Sequence, residues 1–177
     1  MAGLTSQERL QPSLLDRLTD SEPASAREAI DARVLNKQQL RAAVLRDLSW
    51  LFNTARSEPD PLRGAPEDVE MWRGAVEARN SVINYGIPSL SGVTISALQF
   101  EALELAIRQA IIQFEPRIDP KTLEVEVNRG AGFNIQHNSL RLIIRGHMWN
   151  QPVPLELLLS ADVDVETGLA AVHDMRA

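Results

Sequence analysis

The hydrophobic period of this chain changes at one proline. Up to Phe114 the apolar residues recur at helical spacing; beyond Ile118 they alternate with polar ones at a period of two. Pro116 lies between the two regimes. It has no N–H to donate and disfavours the helical basin for its predecessor, so an arriving helix must end near Phe114 or Glu115. Glu115 and Arg117 then fall in extended chain, two residues apart, and can point to the same side as an acid and a guanidinium at a helix end. On spacing alone this is either a surface ion pair worth ~0–1 kcal/mol or a presented functional pair.

On the N-terminal side, a helix is expected from about Lys37 to Thr54, capped by Asn36 with Gln39 in the matching position. Its stripe is Leu40, Val44, Leu48 and Leu51, widened by Leu45 and Phe52, with Trp50 on the flank as core edge or interface anchor. A second long helix, about Ile95 to Phe114, carries two overlapping stripes: Phe100, Leu103, Ile107, Ala110 and Phe114 beside Leu98, Ala102, Leu105 and Ile112. Such breadth implies deep burial. Glu104 and Arg108 take the i,i+4 spacing of a helical ion pair on its remaining face. Between the helices, Arg56 to Glu70 holds three prolines and a glycine and is expected to be loop, followed by a short helical turn at Ser81 to Tyr85 stopped by Gly86 and Pro88.

Beyond the proline, Leu123, Val125 and Val127 alternate with Glu124, Glu126 and Asn128, and two further runs do the same from Leu140 to Met148 and from Val153 to Leu159. Asn150-Gln151-Pro152 connects two of these strands, and Glu166-Thr167-Gly168 turns the chain into a last strand from Leu169 to His173. Short connections imply antiparallel neighbours. The fold expected is therefore α+β, a small antiparallel sheet packed against two long helices, with an N-terminal helical arm. The expected division is an arm and linker over residues 1–35 and one domain over 36–177. In the arm, Ser13 caps a short helix with Asp16 at its N3 position, and Leu14, Leu15 and Leu18 form a face that must dock on the chain's own core or on a partner.

Composition removes most chemistries. A formal net charge of -6 argues against generic nucleic-acid binding, although a local basic face remains possible. Only Lys37 and Lys121 among the 18 basic residues are lysines; the arginine bias suits bidentate pairing with carboxylates, but codon composition is the preferred account of it. With no cysteine, no Gly-x-Ser-x-Gly turn and three dispersed histidines (His137, His147, His173), neither nucleophilic catalysis nor a metal site is expected, and no cofactor. Asn128-Arg129-Gly130-Ala131-Gly132 lacks the residues of a phosphate loop and reads as a strand connection. A glycosidase would need two carboxylates with Glu115 as the acid, but Arg117 beside it favours the ionised form. No stretch approaches a membrane span or a secretory signal, so a cytoplasmic protein is expected.

Three stretches in order, Leu10-Gln11-Pro12-Ser13-Leu14-Leu15-Asp16-Arg17-Leu18, Ser81-Val82-Ile83-Asn84-Tyr85-Gly86-Ile87-Pro88 and Phe114-Glu115-Pro116-Arg117-Ile118, together with the turn Asp164-Val165-Glu166-Thr167-Gly168, resemble the TssE family. These are small baseplate subunits of bacterial type VI secretion systems, similar to the wedge protein of contractile phage tails once labelled lysozyme-like. The resemblance implies a structural, non-enzymatic role in a cytoplasmic, membrane-docked baseplate with TssF, TssG and TssK, where the subunit starts polymerisation of the TssB/TssC sheath. It further implies that Glu115, Pro116 and Arg117 contact TssF and TssG, and that the C-terminal strands join sheath strands by strand addition. Leu14 and Leu18 are the other candidate partner-binding residues. The alternative is a peptidoglycan hydrolase using Glu115.

Overall fold

The structure, a computed structural model, describes residues 13–18, 24, 36–61, 63–93, 99–128, 139–149 and 154–176. The start of the second long helix before residue 99, the 129–138 connection, the Asn150-Gln151-Pro152 connector and nearly all of the 1–35 arm apart from 13–18 lie outside these residues. Among the described residues, the α-helices α1 (Leu14–Leu18), α2 (Lys37–Phe52), α3 (Pro66–Gly74), α4 (Val76–Arg79) and α5 (Phe100–Phe114) precede the strands β1 (Glu124–Asn128), β2 (Ser139–Met148), β3 (Leu155–Asp164) and β4 (Ala170–Asp174).

Helix α2 starts as its sequence dictates. The Asn36 side chain accepts from Gln39 N–H at 2.8 Å and Gln39 Oε1 accepts from Asn36 N–H at 2.9 Å, a closed capping box whose loss typically costs about 1 kcal/mol. Its buried stripe is Leu40, Ala43, Val44, Leu48, Leu51 and Phe52. Helix α5 buries Phe100, Leu103, Ile107, Ala110 and Ile111 and stops at Pro116, with Glu115 N–H closing the last turn on Ile111 O.

The four strands form an antiparallel sheet in the order β1-β2-β3-β4. Alternation sends Val127, Leu140, Leu142, Ile144, Leu157, Leu159, Ala161 and Val163 to one face, where they merge with the helical stripes into one core. Helix α2 covers that face near β4 and α5 near β1. The opposite face carries Arg141 paired with Asp162 and Arg145 paired with Glu126. This is the α+β arrangement expected.

Two local expectations need correction. The loop expected up to Glu70 ends at Pro66, which occupies the first turn of α3, where a missing N–H costs nothing. The proline there starts a helix instead of breaking one. The second apolar stripe of α5 is not deeply buried: Ala102 is exposed and Leu105 is 54% exposed, because neither α2 nor the sheet reaches that side.

The segment after α4 holds the expected turn, a short 3-10 helix over Val82–Asn84 capped by the Ser81 side chain. Gly86 follows at φ +123°, where the backbone of Thr54 passes so close that an added Cβ would lie 2.3 Å from Thr54 O. Only glycine satisfies both demands. The approach lets Ile87 N–H reach Thr54 O at 2.9 Å and Arg56 N–H reach Ile87 O at 2.9 Å, tying this segment to the end of α2.

Candidate assembly interface

Glu115 and Arg117, on either side of the hinge at Pro116, anchor a partly buried electrostatic cluster. Arg117 Nε and Nη2 donate to the two oxygens of Glu115 at 2.6 and 2.5 Å, and Nη2 also reaches Asp47 of α2 at 2.5 Å. Arg46 binds Asp47 through Nε at 2.9 Å and Asp16 of α1 through Nη1 at 2.8 Å. Three carboxylates and two guanidiniums thus join α1, α2 and the hinge in one chain. Glu115 is 2% exposed, so the acid expected to be presented at a helix end is turned inward. Pro116 is exposed and Arg117 half-buried, and these supply the outer surface of the motif.

Charges buried in this way shift one another. Burial alone lowers the Arg117 guanidinium, but hydrogen bonds and charge from Glu115 and Asp47 outweigh it and raise it further above its ordinary value. At Asp16 burial pushes the carboxyl up, and this is outweighed by the Ser13 hydroxyl and Arg46, which hold it below the ordinary value. Burial, then the charges of Asp47 and Glu115, push the Tyr85 phenol up. Its ring meets Phe114 edge-on at 5.0 Å, on the last turn before the hinge.

The cluster fixes α1 while leaving its leucines outside. Ser13 and Asp16 cap the short helix as expected, with Ser13 Oγ donating to Asp16 Oδ2 at 2.6 Å. Leu14 and Leu18 are 73% and 74% exposed; they do not enter the core. Two exposed tryptophans adjoin the same arginines. Trp50 lies 5.3 Å under the Arg46 guanidinium, and the backbone N–H of Trp149 donates to Arg117 O at 2.8 Å while its ring is 62% exposed. Sequence reasoning singled out Trp50 and passed over Trp149, Arg46 and Asp47. The available signal was an isolated tryptophan between His147 and a polar connector.

A second candidate surface is the rim of the sheet. On the β1 side, Val127 N–H points away from β2 and is taken by Glu104 of α5 at 2.8 Å, while Arg108 donates to Leu123 O at 3.1 Å and Pro120 O at 2.9 Å. The expected Glu104–Arg108 pairing is replaced by these bonds: Glu104 binds the backbone of β1 and Arg108 the backbone of the segment leading into it, so α5 covers this edge. On the β4 side, Asp164 N–H donates to Leu169 O and Met175 N–H to Leu158 O. Antiparallel geometry therefore aims the backbone groups of Ala170, Val172 and Asp174 away from β3. Asn53 satisfies both groups of Ala170, accepting at 3.0 Å and donating at 2.8 Å. Among the described residues nothing bonds the outward backbone groups of Val172.

Residues 38–153 match the family model described as baseplate wedge protein gp25, about two thirds of the chain. The chain belongs to the gp25 baseplate wedge family. No curated protein and no solved structure matches it. For a gp25-family wedge protein, a structural place among other baseplate proteins of a phage-tail-like machine follows from the family. The matched span contains α2, α5, the hinge, β1 and β2 and stops before β3, so β4 lies outside it. No helix among the described residues is long and apolar enough to cross a membrane, and no group of three or more His, Cys, Asp or Glu side chains among them converges as for a metal.

Proposed function

We propose that this wedge protein is the baseplate subunit of a type VI secretion system from which the contractile TssB/TssC sheath starts, and that the sheath begins as a strand added to β4. The observation that carries the reading is the contrast between the two sheet rims. Helix α5 binds the β1 rim through Glu104 and the segment leading into it through Arg108, whereas among the described residues nothing bonds the outward N–H and C=O of Val172, with Leu169 and Met175 exposed at the ends of its strand. An uncovered edge is a hazard that proteins ordinarily blunt, and a template for strand addition has reason to keep one.

Docking on TssF and TssG, in a cytoplasmic baseplate with TssK, is assigned to the surface over the hinge: Pro116, the rim of Arg117, Trp149, and the outward Leu14 and Leu18. Glu115 contributes from beneath by holding Arg117 in place. The same burial counts against Glu115 as a hydrolytic acid, because both its oxygens accept from Arg117 and it meets almost no solvent.

The test is Val172→Pro, which removes an N–H that makes no bond within the sheet. The reading expects co-purification with TssF and TssG to persist and fluorescent sheath to stop forming in cells. Normal sheath in cells carrying the folded variant contradicts it.

A further inference from the structure

The uncovered side of α5 does not face open solvent evenly. It forms one wall of a groove of roughly 480 Å³ whose other wall is built from Arg56, Glu58, Arg79 and the Asn84–Gly86 segment. The helical wall presents Ala102, Leu105, Ala106, Gln109 and Gln113, residues that recur along one face and are small or uncharged. Such a face admits close approach of another helix along its axis.

The opposite wall has a charge requirement. Arg56 and Arg79 both turn toward the single carboxylate of Glu58, but at 3.7 and 3.9 Å, beyond hydrogen-bonding distance. The Nε atoms of both arginines are buried and have no hydrogen-bond partner among the described residues. Among the described residues, two guanidiniums against one carboxylate leave an excess positive charge at the lip of an uncharged helical floor. The guanidinium side chains are still partly exposed, 21% for Arg56 and 36% for Arg79, and a second carboxylate arriving at them balances the charge through charge-assisted hydrogen bonds. Glu58 would repel a multiply charged phosphate there, which favours a single carboxylate.

We infer that this groove receives an amphipathic helix of a partner protein, laid along α5 with an aspartate or glutamate set against Arg56 and Arg79. This deepens the assembly reading, on which it rests for the existence of a partner, by giving the wedge a docking surface separate from the hinge cluster and the β4 edge. The partner helix reads as apolar or small residues at i, i+3, i+4 and i+7 with an acidic residue on the same face.

The experiment places a photo-crosslinking residue at Leu105 in the full chain, produced in its native cells, and maps the adduct by mass spectrometry. The expected adduct is a partner segment with that helical pattern. Its yield falls about tenfold when Arg56→Glu and Arg79→Glu are combined, a loss typical of a truncated interfacial charge pair. Because the double variant alters buried groups, exposed Gln109 gives a second arm: Gln109→Glu lowers the yield and Gln109→Lys does not. No adduct, an adduct only within this chain, or an adduct to a segment without an acidic residue overturns the inference, as does a yield indifferent to Gln109→Glu. A Leu105 adduct of the expected kind in cells where Val172→Pro leaves the sheath intact would remove strand addition and keep the groove.

Discussion

Glu115 and Arg117 stand on either side of Pro116 and close a two-bond ion pair, 2.6 and 2.5 Å, with the carboxylate sealed from solvent and the guanidinium reaching on to Asp47. The proline that ends α5 thereby fixes the spacing of the pair, and the pair fixes the hinge to α2. Removing the charge of Glu115 leaves Arg117 half-satisfied in a site from which water is mostly excluded. Glu115→Gln is expected to destabilise the fold by about 2–3 kcal/mol, read as a lowered urea midpoint with an unchanged slope. An unaltered midpoint contradicts the structural role of the pair.

Tyr85 reports on the same cluster without mutation, since it is the single tyrosine of the chain. Its folded-state value is raised by burial and by the charges of Asp47 and Glu115. A raised phenol contributes stability below the unfolded value, and that contribution is lost as pH rises through the folded value. Absorbance titration should therefore place its midpoint above the ordinary value of about 10. Asp47→Asn should move it back down.

Asp16 gives the acid-side counterpart. Its folded-state value is depressed, so the contact between α1 and Arg46 is fully present above the unfolded carboxylate value, about 3.9, and is lost as pH falls through the folded one. Limited proteolysis by an acid-tolerant protease should leave residues 13–18 protected at pH 6 and cut them progressively as the pH is lowered below the ordinary carboxylate range. Asp16→Asn should abolish the difference by exposing the segment throughout.

Glu104→Ala tests the covered rim of the sheet. It leaves Val127 N–H without its acceptor and is expected to cost about 1 kcal/mol. By uncovering a second strand edge it should also raise light scattering on storage, whereas Glu101→Ala, on an exposed position one turn away, should change neither.

The architecture was legible because its cues are local. The change of period at Pro116, the Asn36/Gln39 box and the Ser13/Asp16 cap each act within a few residues, and each predicts what the structure contains. Two misreadings came from position. Pro66 looks like a breaker because sequence alone does not say which residue of a proline-bearing stretch will begin a helix. Leu105 looks like core because a wide apolar surface does not reveal how far its neighbours extend. The cluster was half legible. Glu115 and Arg117 are two residues apart and announce each other, but Asp47 meets Arg117 across 70 positions and Asn53 meets Ala170 across 117, partnerships that only the fold creates.

Amide hydrogen exchange at Val172 tests the central proposal most directly. In the isolated protein this N–H makes no bond within the sheet and should exchange rapidly, while the paired amides of β3 exchange slowly. On baseplates carrying nascent sheath, Val172 should slow by about tenfold or more, with Val125 on the β1 rim unchanged. Val172 exchanging as fast on sheath-bearing baseplates as in the free chain, or protection appearing at Val125 instead, would contradict strand addition at β4.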